Sequence, residues 1–248
     1  MTDLVLDRLR PEIAEKVGPF FEEVLVGYRE NVHSIHVTGS SLTENFDPEG
    51  SGVNSIIVLG EMDLRFLELL APRGKKYRKQ NVSAPLIMTP GYINSSLDVF
   101  PIEFLNFRLL HETVYGEDIL EGLEIGHRDL RQQCERDLKS KLIALRQGYL
   151  SSMGDAKAIS EGLIDAITAH MPLFRGIIAV SGKTPPAAWD EVLEKLGQVT
   201  AVDCAVYRQV LDAKRKGEKL PLTRLNTLFE EYYIATEKLG KVIDEMQV

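Results

Sequence analysis

The sequence predicts an α+β chain in two parts, a mixed-sheet N-terminal half with flanking helices and an all-α C-terminal bundle. Three observations carry this expectation. Residues 33–38 alternate apolar and polar side chains, as a half-buried strand does. Residues 55–59 form a short apolar run suited to a strand in a sheet covered on both faces. From Arg128 onward the character changes to helix, with apolar side chains such as Cys134, Leu138, Leu142 and Leu145 at four- and three-residue spacing and no strand signal beyond residue 125. The parts 1–125 and 126–248 are each of domain size.

The elements are expected in the following order. Residues 12–32 read as a helix with Ile13, Val17, Phe20, Phe21, Val24 and Leu25 on its apolar side, and Pro19 is expected to kink or restart it. The strand 33–38 places Ile35 and Val37 on one face and Ser34 and His36 on the other. A Gly39-Ser40-Ser41 turn and the strand 55–59 follow. Residues 63–70 read as a short helix with Leu64, Leu67 and Leu70 together, and residues 73–79 as a basic loop. Strands are expected at 84–88, ended by Thr89-Pro90-Gly91, and at 97–105, where Pro101 demands an edge or a bulge.

In the second half, Cys134, Leu138, Leu142, Leu145 and Tyr149 form one apolar stripe. Residues 159–180 read as one or two apolar helices with Pro172 as a breaker. Further helices are expected at 189–196, 199–213 and 222–246, and the short loops between them suit antiparallel neighbours in a bundle. Trp189, Tyr207, Tyr232 and Tyr233 sit at helical spacing, which fits core packing better than a pocket lining.

Composition narrows the function. Hydrophobic residues make up 44% and charged residues 27%, as in ordinary globular chains. The net charge of −8 argues against a general nucleic-acid coat. Apolar runs such as Ile177-Ile178-Ala179-Val180 are too short to span a bilayer, and the first residues carry no basic and then apolar leader. Cys134 and Cys204 have no His at zinc-site spacing. The expectation is a cytoplasmic protein with two reduced thiols and no membrane partner. The run Arg73 to Lys79 could meet phosphates, but a solvated loop is the commoner outcome.

The most informative stretch is Val37-Thr-Gly39-Ser40-Ser41, a loop, and then the strand Asn54-Ser-Ile56-Ile-Val-Leu. It resembles the signature of the polymerase-beta-like nucleotidyltransferases, a Gly-Ser turn followed by a strand with two acids one residue apart. The segments Asp98 to Glu103 and His111 to Asp118, with Tyr115-Gly116-Glu117-Asp118, strengthen the likeness. It covers the first half closely. The second half is similar only in kind to the helical domain of the aminoglycoside-modifying branch.

The resemblance implies a defined chemistry. Two acids one apart on a strand share a face and can hold Mg²⁺ with a third acid on a neighbouring strand. The Gly-Ser turn brings backbone N–H groups and a hydroxyl near the triphosphate. Gly39, Ser40, Ser41 and Asn54 match nucleotide-side positions, but Asn54 and Ile56 stand where the two acids belong. Glu103 is the first choice for the third acid and Asp98 the second, for both the catalytic and the metal-binding role. Asp47-Pro48-Glu49 is turn chemistry, and Glu61 with Asp63 lies past the far end of the strand, so neither pair is a substitute. His111 and His170 fit packing or capping roles better than ligand roles.

The leading expectation is a nucleotidyltransferase-fold protein with degenerate chemistry. It would bind a nucleotide or another small molecule in an interdomain cleft. An active enzyme is the first alternative, moving a nucleoside monophosphate from Mg²⁺–NTP to a small-molecule or protein hydroxyl. A non-enzymatic partner protein, dimeric through its helical half, is the second.

Overall fold

The computed structural model describes residues 3–46 and 51–246, so Asp47-Pro48-Glu49 lies outside the described residues. The apolar spacing near the N-terminus produces helix α1 (Pro11–Tyr28), which runs on through Pro19 and is followed by the 3-10 turn Arg29–Asn31. Strands β1 (Val32–Thr38) and β2 (Asn54–Leu59) follow, then the short helices α2 (Arg65–Leu70) and α3 (Gly74–Arg78). Next come β3 (Leu86–Met88), α4 (Pro90–Asn94), α5 (Pro101–Leu109) and β4 (His111–Gly116). The helices α6 (His127–Ser151), α7 (Ala156–Val180), α8 (Trp189–Thr200), α9 (Ala205–Lys216) and α10 (Leu222–Glu245) complete the chain.

The four strands form one mixed sheet in the order β3-β2-β1-β4. Strand β1 runs antiparallel to β2 and β4, and β3 runs parallel to β2. One face packs Ile35, Val37, Val53, Ile57 and Leu59 into a core with Ile13, Val17, Phe21 and Val24 of α1. Burying side chains of this kind stabilises by about 1.5–3 kcal/mol each, which secures α1 on the sheet. Ser34 and His36 on the other face are buried as well, so β1 is covered on both sides rather than half-buried.

The chain divides into two compact units. One comprises the chain up to Val99 with Phe104–Glu124, and the other Phe100–Glu103 with the chain from Ile125 on. In the helical unit, α7 packs against α6, α8, α9 and α10. Gly176 lets α6 approach closely, since a Cβ there would lie 2.9 Å from Cys134 Sγ. Tyr207 and Tyr232 stack edge to face at 4.8 Å within the bundle, and Trp189 is buried, so these aromatics are core. By length and composition alone α7 could cross a membrane, yet 61% of its apolar window is buried inside the protein.

Several expectations are corrected. The segment 97–105 is not a strand: Pro101 opens α5, where its fixed φ suits the first helical turn and its missing N–H costs nothing. The missing strand is β4, at 111–116. The basic segment is not a loop, because residues 71–78 form a 3-10 turn and α3. On α2 the buried residue is Phe66, whereas Leu64 and Leu67 are 68% and 43% exposed. Pro172 does not break α7. The helix expected at 199–213 is interrupted by Ala201, whose φ of 55° ends α8.

Candidate functional site

Strand β1 ends at Thr38, and Gly39 turns the chain with φ at 83°, a left-handed conformation that favours glycine. The Gly39 N–H is held by the Leu110 carbonyl at 2.9 Å. The 3-10 turn Gly39–Leu42 then closes on Ser40, whose carbonyl accepts from Thr43 N–H at 3.0 Å and Thr43 Oγ1 at 2.9 Å. The buried Ser41 hydroxyl donates back to the Thr38 carbonyl at 3.3 Å. Ser41 therefore shapes the turn, while the Ser40 hydroxyl has no hydrogen-bond partner among the described residues.

Asn54 opens β2 directly opposite Thr38, and Thr38 is opposite His111 on β4. A row of three residues thus crosses the end of the sheet beside the Gly39 turn. Asn54 is exposed, and its amide has no partner among the described residues. Ile56, two residues on and on the same face, is fully buried.

The remaining positions on this face carry no carboxylate. Ile56 is opposite His36 on β1 and Leu86 on β3, and Val58 is opposite Ser34 and Met88. On β4 the residue opposite His36 is Thr113. Asp98 is exposed in the turn before α5, in the first unit. Glu103 is exposed in the first turn of α5, in the helical unit. Neither sits on a strand, so the strand-borne third acid expected from sequence is absent at both positions. Among the described residues, no group of three or more His, Cys, Asp or Glu is arranged to hold a metal ion. The donor set on this face does not fit the Mg²⁺ of a metal-dependent transferase.

The face instead carries a polar network. His36 Nε2 lies 2.8 Å from Ser34 Oγ, and its Nδ1 lies 2.8 Å from Thr113 Oγ1. Burial, with a smaller contribution from nearby His111, pushes the His36 pKa down to about 4 and keeps the ring neutral. His111 Nε2 faces both Asp118 oxygens at 3.0 and 3.1 Å, and its Nδ1 faces the Phe107 carbonyl at 2.9 Å. Burial raises the Asp118 pKa, but the His111 hydrogen bond and charge outweigh it and hold the carboxyl below its ordinary range. Sequence reasoning took His36 only as a face marker, although strict alternation in 33–38 was the available signal.

Glu103 has a structural partner. Gln133 of α6 is buried; its Oε1 accepts from Ile102 N–H at 2.8 Å, and its Nε2 donates to Glu103 Oε2 at 2.8 Å. The amide therefore caps the start of α5. The basic residues Arg73 and Lys76 both pair with Glu23. Asp63 pairs with Arg65 at 2.9 Å and accepts from Tyr28 at 2.8 Å, and these bonds bring its pKa down to about 2.

No protein-family model matches the chain, and no curated protein matches it in sequence. Among solved structures, the chain is similar to spectinomycin adenyltransferase AAD(9) from Enterococcus faecialis, crystallised with ATP and spectinomycin. The identity is 15% and the TM-score 0.58, over 94% of this chain and 99% of that one. This likeness shows the fold alone, a mixed sheet with flanking helices and a helical unit shared with that adenyltransferase.

Proposed function

We propose that this protein uses the nucleotidyltransferase fold to bind a nucleotide or another small ligand, without metal-dependent nucleotidyl transfer. The observation that carries the reading is the face of β2 beside the Gly39 turn. Asn54 and Ile56 occupy the two acid positions, and the residues opposite them on β1 and β3 are Thr38, His36 and Leu86. Ile56 offers no oxygen, and its full burial leaves no room for a hydrated cation beside it.

Recognition remains available where chemistry does not. The Ser40 hydroxyl and the Asn54 amide are uncommitted at the same end of the sheet, beside a glycine that admits close backbone approach. A ligand with hydrogen-bonding edges, such as a nucleotide, would be oriented by these two groups. The ATP in the similar adenyltransferase makes nucleotides the first class to test.

The deciding experiment is calorimetric titration with ATP, with and without Mg²⁺, paired with an assay for nucleotide consumption. The reading expects binding that does not depend on the metal, weakened by Asn54→Ala, with no turnover. Metal-dependent binding with turnover abolished by Glu103→Gln would replace it with an active transferase.

A further inference from the structure

Strand β3 is an edge of the sheet, and among the described residues no segment other than β2 pairs with it. Beside this edge lies a groove of about 900 Å³, lined entirely by residues of the first unit. Phe20, Leu67, Leu70 and Tyr77 line its helical side, and Pro85 and Ile87 its strand side. Ile87 packs against the core between α1 and the sheet, which sets the groove on the core side of the edge. A chain laid along β3 would extend the sheet and turn every second side chain into the groove. The groove also accounts for Leu67, an apolar residue that is 43% exposed on α2 and lines this space instead of joining the core.

Charge selects the occupant. Lys75 and Arg78 of α3 line the groove, and among the described residues no Asp or Glu does. Both are exposed, and neither has a hydrogen bond or an ion pair among the described residues. The next cation, Lys79, is likewise exposed and unpaired. By contrast Arg73 and Lys76 are held by Glu23. A chain of net charge −8 therefore gathers uncommitted cations beside one apolar groove at a free sheet edge. Such a pattern attracts an acidic partner and repels a basic one. A second copy paired edge to edge about a two-fold axis would bring the same cations together, so charge favours a different, acidic chain.

We propose that the β3 edge and its groove bind an extended peptide segment, apolar in its centre and flanked by acidic residues. The peptide backbone pairs with β3, its apolar side chains enter the groove, and its carboxylates meet Lys75 and Arg78. The site stands whether or not the Gly39–Asn54 end of the sheet binds a nucleotide.

The test uses the full chain and three peptides carrying the same neutral dye. The first is Glu-Glu-Val-Thr-Val-Thr-Val-Glu-Glu, the second has lysine in place of every glutamate, and the third keeps the glutamates but is N-methylated through its Val-Thr centre. The first should saturate below about 1 mM, and the other two should bind at least about tenfold more weakly. The first should also slow amide hydrogen exchange at Leu86, Ile87 and Met88, which attraction between charges alone would not do. Lys75→Glu combined with Arg78→Glu alters two exposed, unpaired side chains, so the variant should fold and bind the first peptide at least about tenfold more weakly. Failure of the first peptide to saturate below about 1 mM would overturn the proposal. So would affinity unchanged by the charge reversal or by N-methylation, or binding that leaves exchange in β3 unaltered. A dimer that Leu67→Glu converts to monomer would overturn it as well, because a second copy would then be the occupant.

Discussion

Gly39 and Asn54 are neighbours at the end of the sheet: a Cβ placed on Gly39 would lie 3.8 Å from Asn54 Nδ2, an ordinary contact. Space is therefore not what demands glycine there. The demand is conformational, because φ is 83°. Gly39→Ala should cost about 1–2 kcal/mol of stability, read as a lower denaturant midpoint with an unchanged slope. A change below a few tenths of a kcal/mol would mean that the turn relaxes out of the left-handed region.

Asn54→Ala separates binding from folding. The side chain is exposed and unbonded, so stability should stay within about 0.5 kcal/mol of the parent. Ligand affinity at this end of the sheet should fall about tenfold, the loss of one good hydrogen bond. Equal affinity in the two proteins would remove Asn54 from the site.

Acids introduced one apart on β2 should have unequal effects. Asn54→Asp places a carboxylate in solvent and should be tolerated. Ile56→Asp places one where Ile56 is 0% exposed, and the cavity together with the desolvated acid should cost more than about 3 kcal/mol. Urea unfolding of both variants, with and without Mg²⁺–ATP, checks this. Stability regained by the Ile56→Asp variant only with the metal would show that this face can form a metal site once the acid is present.

Gln133 joins α6 to the start of α5 through two hydrogen bonds of 2.8 Å each. Gln133→Ala strips the Ile102 N–H of its acceptor and should destabilise the helical unit by about 1–3 kcal/mol. Glu103→Gln leaves the Ile102 bond intact, and because Glu103 is exposed it should cost under about 1 kcal/mol. A large stability loss in the second variant and none in the first would reverse the assignment.

Two histidines set an acid limb of stability. The pKa of His36 and of His170 is lowered to about 4 from the ordinary 6.5, in both cases chiefly by burial. In the unfolded chain both rings take up protons below 6.5, while in the folded chain they do so only below about 4. Their contribution is thus fully present above pH 6.5 and lost as pH falls toward 4, at up to about 1.4 kcal/mol per pH unit for each ring. Denaturant unfolding between pH 7 and pH 4 should show this slope, reduced in His36→Asn and in His170→Leu. A flat profile would mean that the rings become protonated in the folded protein.

Much of the first unit was legible from local pattern. The apolar spacing of α1, the alternation in β1 and the apolar run of β2 each act within a few residues, so the sequence alone located them. The segment around Pro101 was not legible in this way. Leu97, Val99, Ile102, Phe104 and Leu105 suit a strand by side-chain type, and only Pro101 followed by Glu103 signals a helix start. Strand β4 was hidden because His111 to Asp118 was taken as a motif, although Thr113, Val114 and Tyr115 favour a strand.

The sequence by itself determined that the strand after the Gly39-Ser40 turn carries Asn54 and Ile56 and no carboxylate, because residue identity needs no coordinates. It also determined that strands stop before the second half, because no strand-type alternation appears beyond residue 125. Only the tertiary structure decided that Ile56 is sealed and faces His36 and Leu86 rather than a carboxylate. Only it brought Gln133 onto Ile102 and buried His170 Nε2 without a hydrogen-bond partner. Strand register and helix packing join residues far apart in the chain, and a local periodicity carries no information about which of them meet.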